Sequence, residues 1–119
     1  MIPRLLAAIA LVVTMAVAQP AEAATLTVSS ATCQITGYYA PDPANYGTFS
    51  CTATATGGTG GYSYTWTVFT WCCGDPYYGS GPTITGNCKW GSPRYFTVYV
   101  KDSSGATASK GTGIGCTRP

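Results

Sequence analysis

Residues 48–56 alternate Phe49, Cys51, Ala53 and Ala55 with Thr48, Ser50, Thr52, Thr54 and Thr56. That period of two predicts a β-strand with one face buried and Cys51 turned inward. The glycine turn Gly57-Gly58-Thr59-Gly60-Gly61 follows. It leads into a second alternating run, in which Tyr62, Tyr64, Trp66 and Val68 share a face opposite Ser63, Thr65 and Thr67. The alternation breaks at Phe69-Thr70-Trp71, which marks a strand end or a patch covered by the next loop. A third run, Tyr95-Phe96-Thr97-Val98-Tyr99-Val100, turns Phe96, Val98 and Val100 inward and ends in the hairpin turn 102–105.

Weaker signals fill the intervals. A first strand spans residues 26–35. Leu26 and Val28 share one parity and Cys33 and Ile35 the other, so a bulge is expected near Ser29-Ser30. Residues 37–47 read as a loop stiffened by Pro41-Asp42-Pro43. Residues 72–81 and 87–93 read as loops, with a short strand at 82–86 between them. A last strand spans 106–116. Short strands separated by turn signals about every ten residues predict an all-β fold, a sandwich or barrel.

The first 23 residues belong to a different class. Arg4 precedes an apolar run from Leu5 to Ala18, and Ala21-Glu22-Ala23 follows. This is the order of a secretory signal peptide. Cleavage is expected after Ala23, with Ala18 the second choice. The run falls short of the roughly 20 apolar residues that span a bilayer. The mature chain, residues 24–119, is expected to be a single extracellular domain with no membrane attachment after cleavage.

Composition explains how so small a domain is held together. Its large aliphatics are few: Leu26, Val28, Ile35, Val68, Ile84, Val98, Val100 and Ile114. Aromatic residues supply part of the missing core. The six cysteines, Cys33, Cys51, Cys72, Cys73, Cys88 and Cys116, supply the rest. An even number in a short secreted chain reads as a disulfide framework. No metal site is expected, because there is no histidine and the only adjacent thiols are direct neighbours. The net charge of +2 is small and scattered, which argues against nucleic acid or an anionic membrane as partner.

The stretch Gly60-Gly61-Tyr62-Ser63-Tyr64-Thr65-Trp66-Thr67-Val68, together with the segment from Tyr95 to Ala108, resembles a PKD-type domain of the immunoglobulin-like superfamily. The resemblance covers about half of the mature chain. It implies a two-sheet antiparallel immunoglobulin-like sandwich and says little about function. The chain departs from the family at Trp71-Cys72-Cys73-Gly74-Asp75, where an acidic, glycine-bearing stretch is usual. The topology it implies would put all six cysteines near one end. Six cysteines allow 15 pairings and this clustering leaves several open; the preferred set joins Cys33 to Cys51 and gives Cys88 and Cys116 one each of Cys72 and Cys73. A bond between the two neighbours is not expected, since bridged Cα atoms usually lie about 4.4–6.8 Å apart and trans neighbours reach only ~3.8 Å.

Catalysis is not expected. The mature chain has three carboxylates, Asp42, Asp75 and Asp102, each in its own loop and each readable as a turn former. No thiol has a histidine to activate it. The aromatic residues outside the regular alternation are the candidate binding residues: Tyr38, Tyr39, Trp71, Tyr77, Tyr78 and Trp90. Rings give large contact area with a polar handle. The competing structural role for them is a small second core sheltering the disulfides. The expected activity is that of a secreted binding or adhesion module for an extracellular carbohydrate, cell-wall component or protein, with no cofactor. A hydrolase inhibitor acting through a loop bridged from Cys73 to Cys88, and a structural component of an extracellular layer, are the alternatives.

Overall fold

A computed structural model describes residues 24–119; the leader expected over residues 1–23 lies outside the described residues. The chain runs β1 (Thr27–Tyr38), β2 (Tyr46–Thr56), β3 (Ser63–Val68), β4 (Tyr77–Ser80), β5 (Thr83–Lys89), β6 (Pro93–Lys101) and β7 (Thr107–Gly115). These strands form a three-stranded sheet, β1-β2-β5, and a four-stranded sheet, β4-β3-β6-β7, antiparallel throughout. The result is a disulfide-stapled two-sheet sandwich.

The alternation works as the sequence predicts. In β2, Phe49, Cys51, Ala53 and Ala55 are buried while the threonines between them face outward. In β6, Phe96, Val98 and Val100 are buried. The register of β1 against β2 shifts between Val28 and Ser30, where the parity change demands a bulge. Trp66 is fully buried on β3, and its indole N–H donates to the Gly81 carbonyl at 2.8 Å, so the ring enters the core with its polar atom satisfied.

All three segments read as loops contain strand: β1 runs on to Tyr38 and β2 begins at Tyr46, and two further stretches are new. Residues 77–80 form β4, and β5 continues through Lys89. Neither shows alternation strong enough to announce itself. Each is drafted by a neighbour whose edge needs hydrogen bonds: β4 pairs with β3, and β5 runs along β2 as far as Tyr46. Trp66 and Phe96 lie in the same sheet, so they do not face each other across the core. Phe96 instead meets Phe49 of the opposite sheet, with ring centroids 5.4 Å apart.

The disulfides correct the expected pairing in part. Cys33–Cys51 forms as expected, but in mid-sheet, since Cys51 is flanked by Cys33 on one side and Ile84 on the other. The six cysteines therefore do not gather at one end. Cys88 bonds Cys116, and Cys72 bonds Cys73. The reason is where the strand ends fall. Cys88 on β5 and Cys116 just beyond β7 come together at one rim, with Cα atoms 6.0 Å apart, and reciprocal backbone bonds (Gly91 N–H to Cys116 O, Cys116 N–H to Ser92 O) hold that rim. The β3–β4 loop, left without other sulfurs, closes its two neighbours on each other at a Cα separation of 3.8 Å.

The other rim is held without sulfur. Asp102 is 5% exposed. Its carboxylate accepts the Ser104 hydroxyl at 2.7 Å and the N–H groups of Ser104, Thr59 and Ala106 at 2.9, 3.1 and 3.0 Å. The glycine turn thus docks on the β6–β7 turn. Gly58, at φ +64°, lies so close to Asp102 that any Cβ there would strike the carboxylate.

The Ser104 hydroxyl above all, then the N–H groups of Thr59, Ala106 and Ser104, hold the Asp102 carboxyl below the usual carboxylate range, against a partial opposing effect of burial. A depressed carboxyl stabilises the fold above the unfolded value of about 3.9, and that contribution is lost as pH falls through the lower folded value. Urea midpoints are expected to drop below about pH 4, and Asp102→Asn to flatten the drop while lowering the midpoint at pH 6. Replacing both Cys88 and Cys116 by Ala should cost about 2–5 kcal/mol in the same urea measurement.

Candidate functional site

Odd-numbered residues of β6 face away from the core. Tyr95, Thr97 and Tyr99 stand there, opposite Gly113, Gly111 and Ser109 of β7. Thr67 of β3 lies between Thr97 and Tyr77 of β4. The outer face of the four-stranded sheet is therefore a surface of tyrosine, threonine and glycine. Tyr77, Tyr95 and Tyr99 are 66, 50 and 47% exposed.

Glycine at 111, 113 and 115 removes every outward side chain from the second half of β7. What remains is an open groove of about 840 Å³ bounded by Phe69, Tyr95, Pro93 and Asp75. A Cβ on Gly113 would come within 2.8 Å of the Tyr95 ring, so that ring lies over this glycine. A Cβ on Gly111 would meet only a carbonyl oxygen 3.9 Å away, and one on Gly115 would meet nothing within 4 Å. Neither position has a positive φ.

Phe69 and Tyr95 form the aromatic wall of the groove, and Trp71 stands outside its lining, packed on Phe69. Phe69 packs edge-on against Tyr95 at 6.4 Å, and Trp71 packs edge-on against Phe69 at 5.2 Å. Trp71 is 90% exposed, which no packing requirement explains. The β3–β4 loop holds these rings through the Phe69 N–H bonded to the Tyr95 carbonyl at 2.8 Å and the Thr70 hydroxyl bonded to the Gly74 carbonyl. Asp75 contributes the carboxylate of the lining, and among the described residues no lysine or arginine lines the groove.

The six aromatic candidates from the sequence fall in three places. Trp71 and Tyr77 are on this face. Tyr38, Tyr39 and Trp90 are at the rim of the three-stranded sheet. There Trp90 covers Gly47, donates from Nε1 to the Pro43 carbonyl at 3.0 Å and meets Tyr38 edge-on at 5.6 Å. Tyr39 packs edge-on against Tyr46 at 6.3 Å. Tyr78 points into the core against Phe96 and Phe49, and Gly86 makes room for it. Burial raises the Tyr78 phenol above its ordinary value, partly offset by Arg94, whose guanidinium lies 5.6 Å over the ring and donates to the Asn87 carbonyl at 2.9 Å. Tyr38, Tyr39, Trp90 and Tyr78 thus make structural contacts, whereas Phe69, Tyr95, Tyr99 and the three glycines form the face and were not among the candidates. A signal for them existed: Gly111, Gly113 and Gly115 share the parity that the register sets opposite Tyr95 and Tyr99.

The chemistry this face offers is stacking and hydrogen bonding. Among the described residues no three His, Cys, Asp or Glu side chains gather to hold a metal ion. Asp42 serves its own turn, its carboxylate accepting from Asn45 Nδ2 at 3.1 Å. Comparison with known proteins finds no matching family model, no matching curated protein and no matching solved structure.

Gly111→Val should fold with an unchanged or slightly higher melting temperature, because it relieves a strand of the ~0.5–1 kcal/mol that glycine costs there. Gly113→Ala should lose about 1–3 kcal/mol through collision with Tyr95. Thermal melts of the two variants, read side by side, check the geometry of the groove floor.

Proposed function

We propose that the chain is a secreted, non-catalytic binding module that lays an extracellular polysaccharide along the outer face of β4-β3-β6-β7. The observation that carries this reading is Trp71, almost fully exposed beside a groove that glycines have cleared of side chains. Pyranose rings present flat C–H faces that stack on aromatic rings and hydroxyls that bond to tyrosine, threonine and carboxylate. The lining fits a neutral polar ligand. Among the described residues it has no cation to attract phosphate or sulfate.

Secretion is supported by the leader-like residues 1–23 and by three disulfides in a chain with few large aliphatics. The strand order supports reading the domain as a PKD-type variant of the immunoglobulin-like sandwich, with β1, β2 and β5 on one sheet and β3, β6 and β7 on the other. The particular loop expected for an inhibitor, bridged from Cys73 to Cys88, does not form, because Cys88 is bonded to Cys116.

The mature chain is expected to be retained on an insoluble polysaccharide such as cellulose or chitin. Trp71→Ala should weaken retention on the order of tenfold, the loss of one or two aromatic contacts of about 0.5–1.5 kcal/mol each. Gly111→Trp, which fills the groove, should abolish it, with melting temperatures near wild type for both. Equal retention of all three proteins would rule out this face as the glycan site, and self-association with no retention at all would favour a structural role.

A further inference from the structure

The three disulfides differ in what they join and in who can reach them. Cys51, Cys88 and Cys116 are 0, 2 and 1% exposed, and Cys33 is half-buried beside Thr112. Cys33–Cys51 ties β1 to β2, and Cys88–Cys116 ties the two sheets at one rim. Cys72 and Cys73 are both exposed, in the loop between β3 and β4. Their bond joins residues one apart in sequence, so it closes no chain loop and constrains the unfolded chain hardly at all.

We propose that Cys72–Cys73 is a thiol–disulfide exchange site for an external dithiol, reducible while both sheet disulfides stay oxidised, and that its redox state sets how Trp71 is presented at the groove. A thiolate must reach a disulfide sulfur to attack it, and only this pair offers both sulfurs to solvent. One thiolate of the dithiol attacks the sulfur of Cys72 or Cys73. The Cys72–Cys73 bond breaks and a mixed disulfide forms. The second thiol of the reagent then displaces the cysteine. The dithiol leaves as its cyclic disulfide, having supplied two electrons and two protons, and Cys72 and Cys73 remain as thiols.

The sheets lose no cross-link in this exchange. The loop does change, because the ring between neighbouring residues fixes the chain directly after Trp71, within the turn closed by the Thr70 hydroxyl on the Gly74 carbonyl. Opening it frees the backbone that aims the Trp71 ring against Phe69. This chemistry holds whether or not the groove takes a polysaccharide.

The test uses the oxidised mature chain and dithiothreitol. Aliquots from a reductant titration are quenched in acid, alkylated with N-ethylmaleimide and mapped by mass spectrometry. Cys72 and Cys73 are expected to be alkylated together, about tenfold faster than the other four cysteines, with the melting temperature unchanged. Tryptophan emission should rise over the same interval, as a neighbouring quenching disulfide is lost, and Trp71→Phe should remove that rise. The double variant Cys72→Ser/Cys73→Ser should melt like wild type and show no early labelling. Reduction of all six cysteines in one step, or alkylation of Cys72 and Cys73 before any reductant is added, overturns the exchange site. Early labelling without the Trp71-dependent emission change overturns the link to the groove.

Discussion

Few large aliphatic side chains lie between the two sheets, and that scarcity shapes the rest of the molecule. Leu26, Val28, Ile84, Val98, Val100 and Ile114 are the buried ones. They leave the sandwich dependent on rings and sulfur. Phe49 from one sheet and Phe96 from the other meet at 5.4 Å, with Tyr78 closing over both. The Cys88–Cys116 bond crosses between the sheets at the neighbouring rim. A domain of this size gains too little from apolar burial alone to hold its layers with certainty, so a covalent tie at the rim has a large effect on its stability.

The opposite rim solves the same problem with a carboxylate. Asp102 satisfies donors from its own turn and from the glycine turn before β3, so the two turns behave as one body. A buried carboxylate with this many donors costs little, because each N–H replaces a water it has lost. Glycine at 58 is the steric condition for that approach. With both rims tied and the inner faces filled, Tyr77, Tyr95 and Tyr99 on the outer face of the four-stranded sheet remain largely exposed.

Aromatic residues therefore take two kinds of place here, buried and exposed, and neighbours in sequence take different ones. Tyr77 faces solvent while Tyr78 enters the core. Trp66 is fully buried while Trp71 is almost fully exposed. The division follows from strand parity in each case where a strand exists, and from the loop's closure at Thr70 and Gly74 where it does not.

Strand parity was legible from residues alone for β2, β3 and β6, because threonine or serine alternating with apolar groups has one sensible burial. The bulge at Ser29-Ser30 followed from the same rule, as did Cys33 facing Cys51 once β1 and β2 were neighbours. Tyr77–Ser80 had no such pattern, and it became a strand only because β3 offered an unpaired edge. The remaining sulfur pairings, the placement of Trp90 over Gly47, and the alignment of Gly111 and Gly113 with Thr97 and Tyr95 depend on register between segments far apart in the chain. Local periodicity fixes which side of a strand a residue takes. It carries no information on which distant residue stands opposite, and that is settled only when the sheets close.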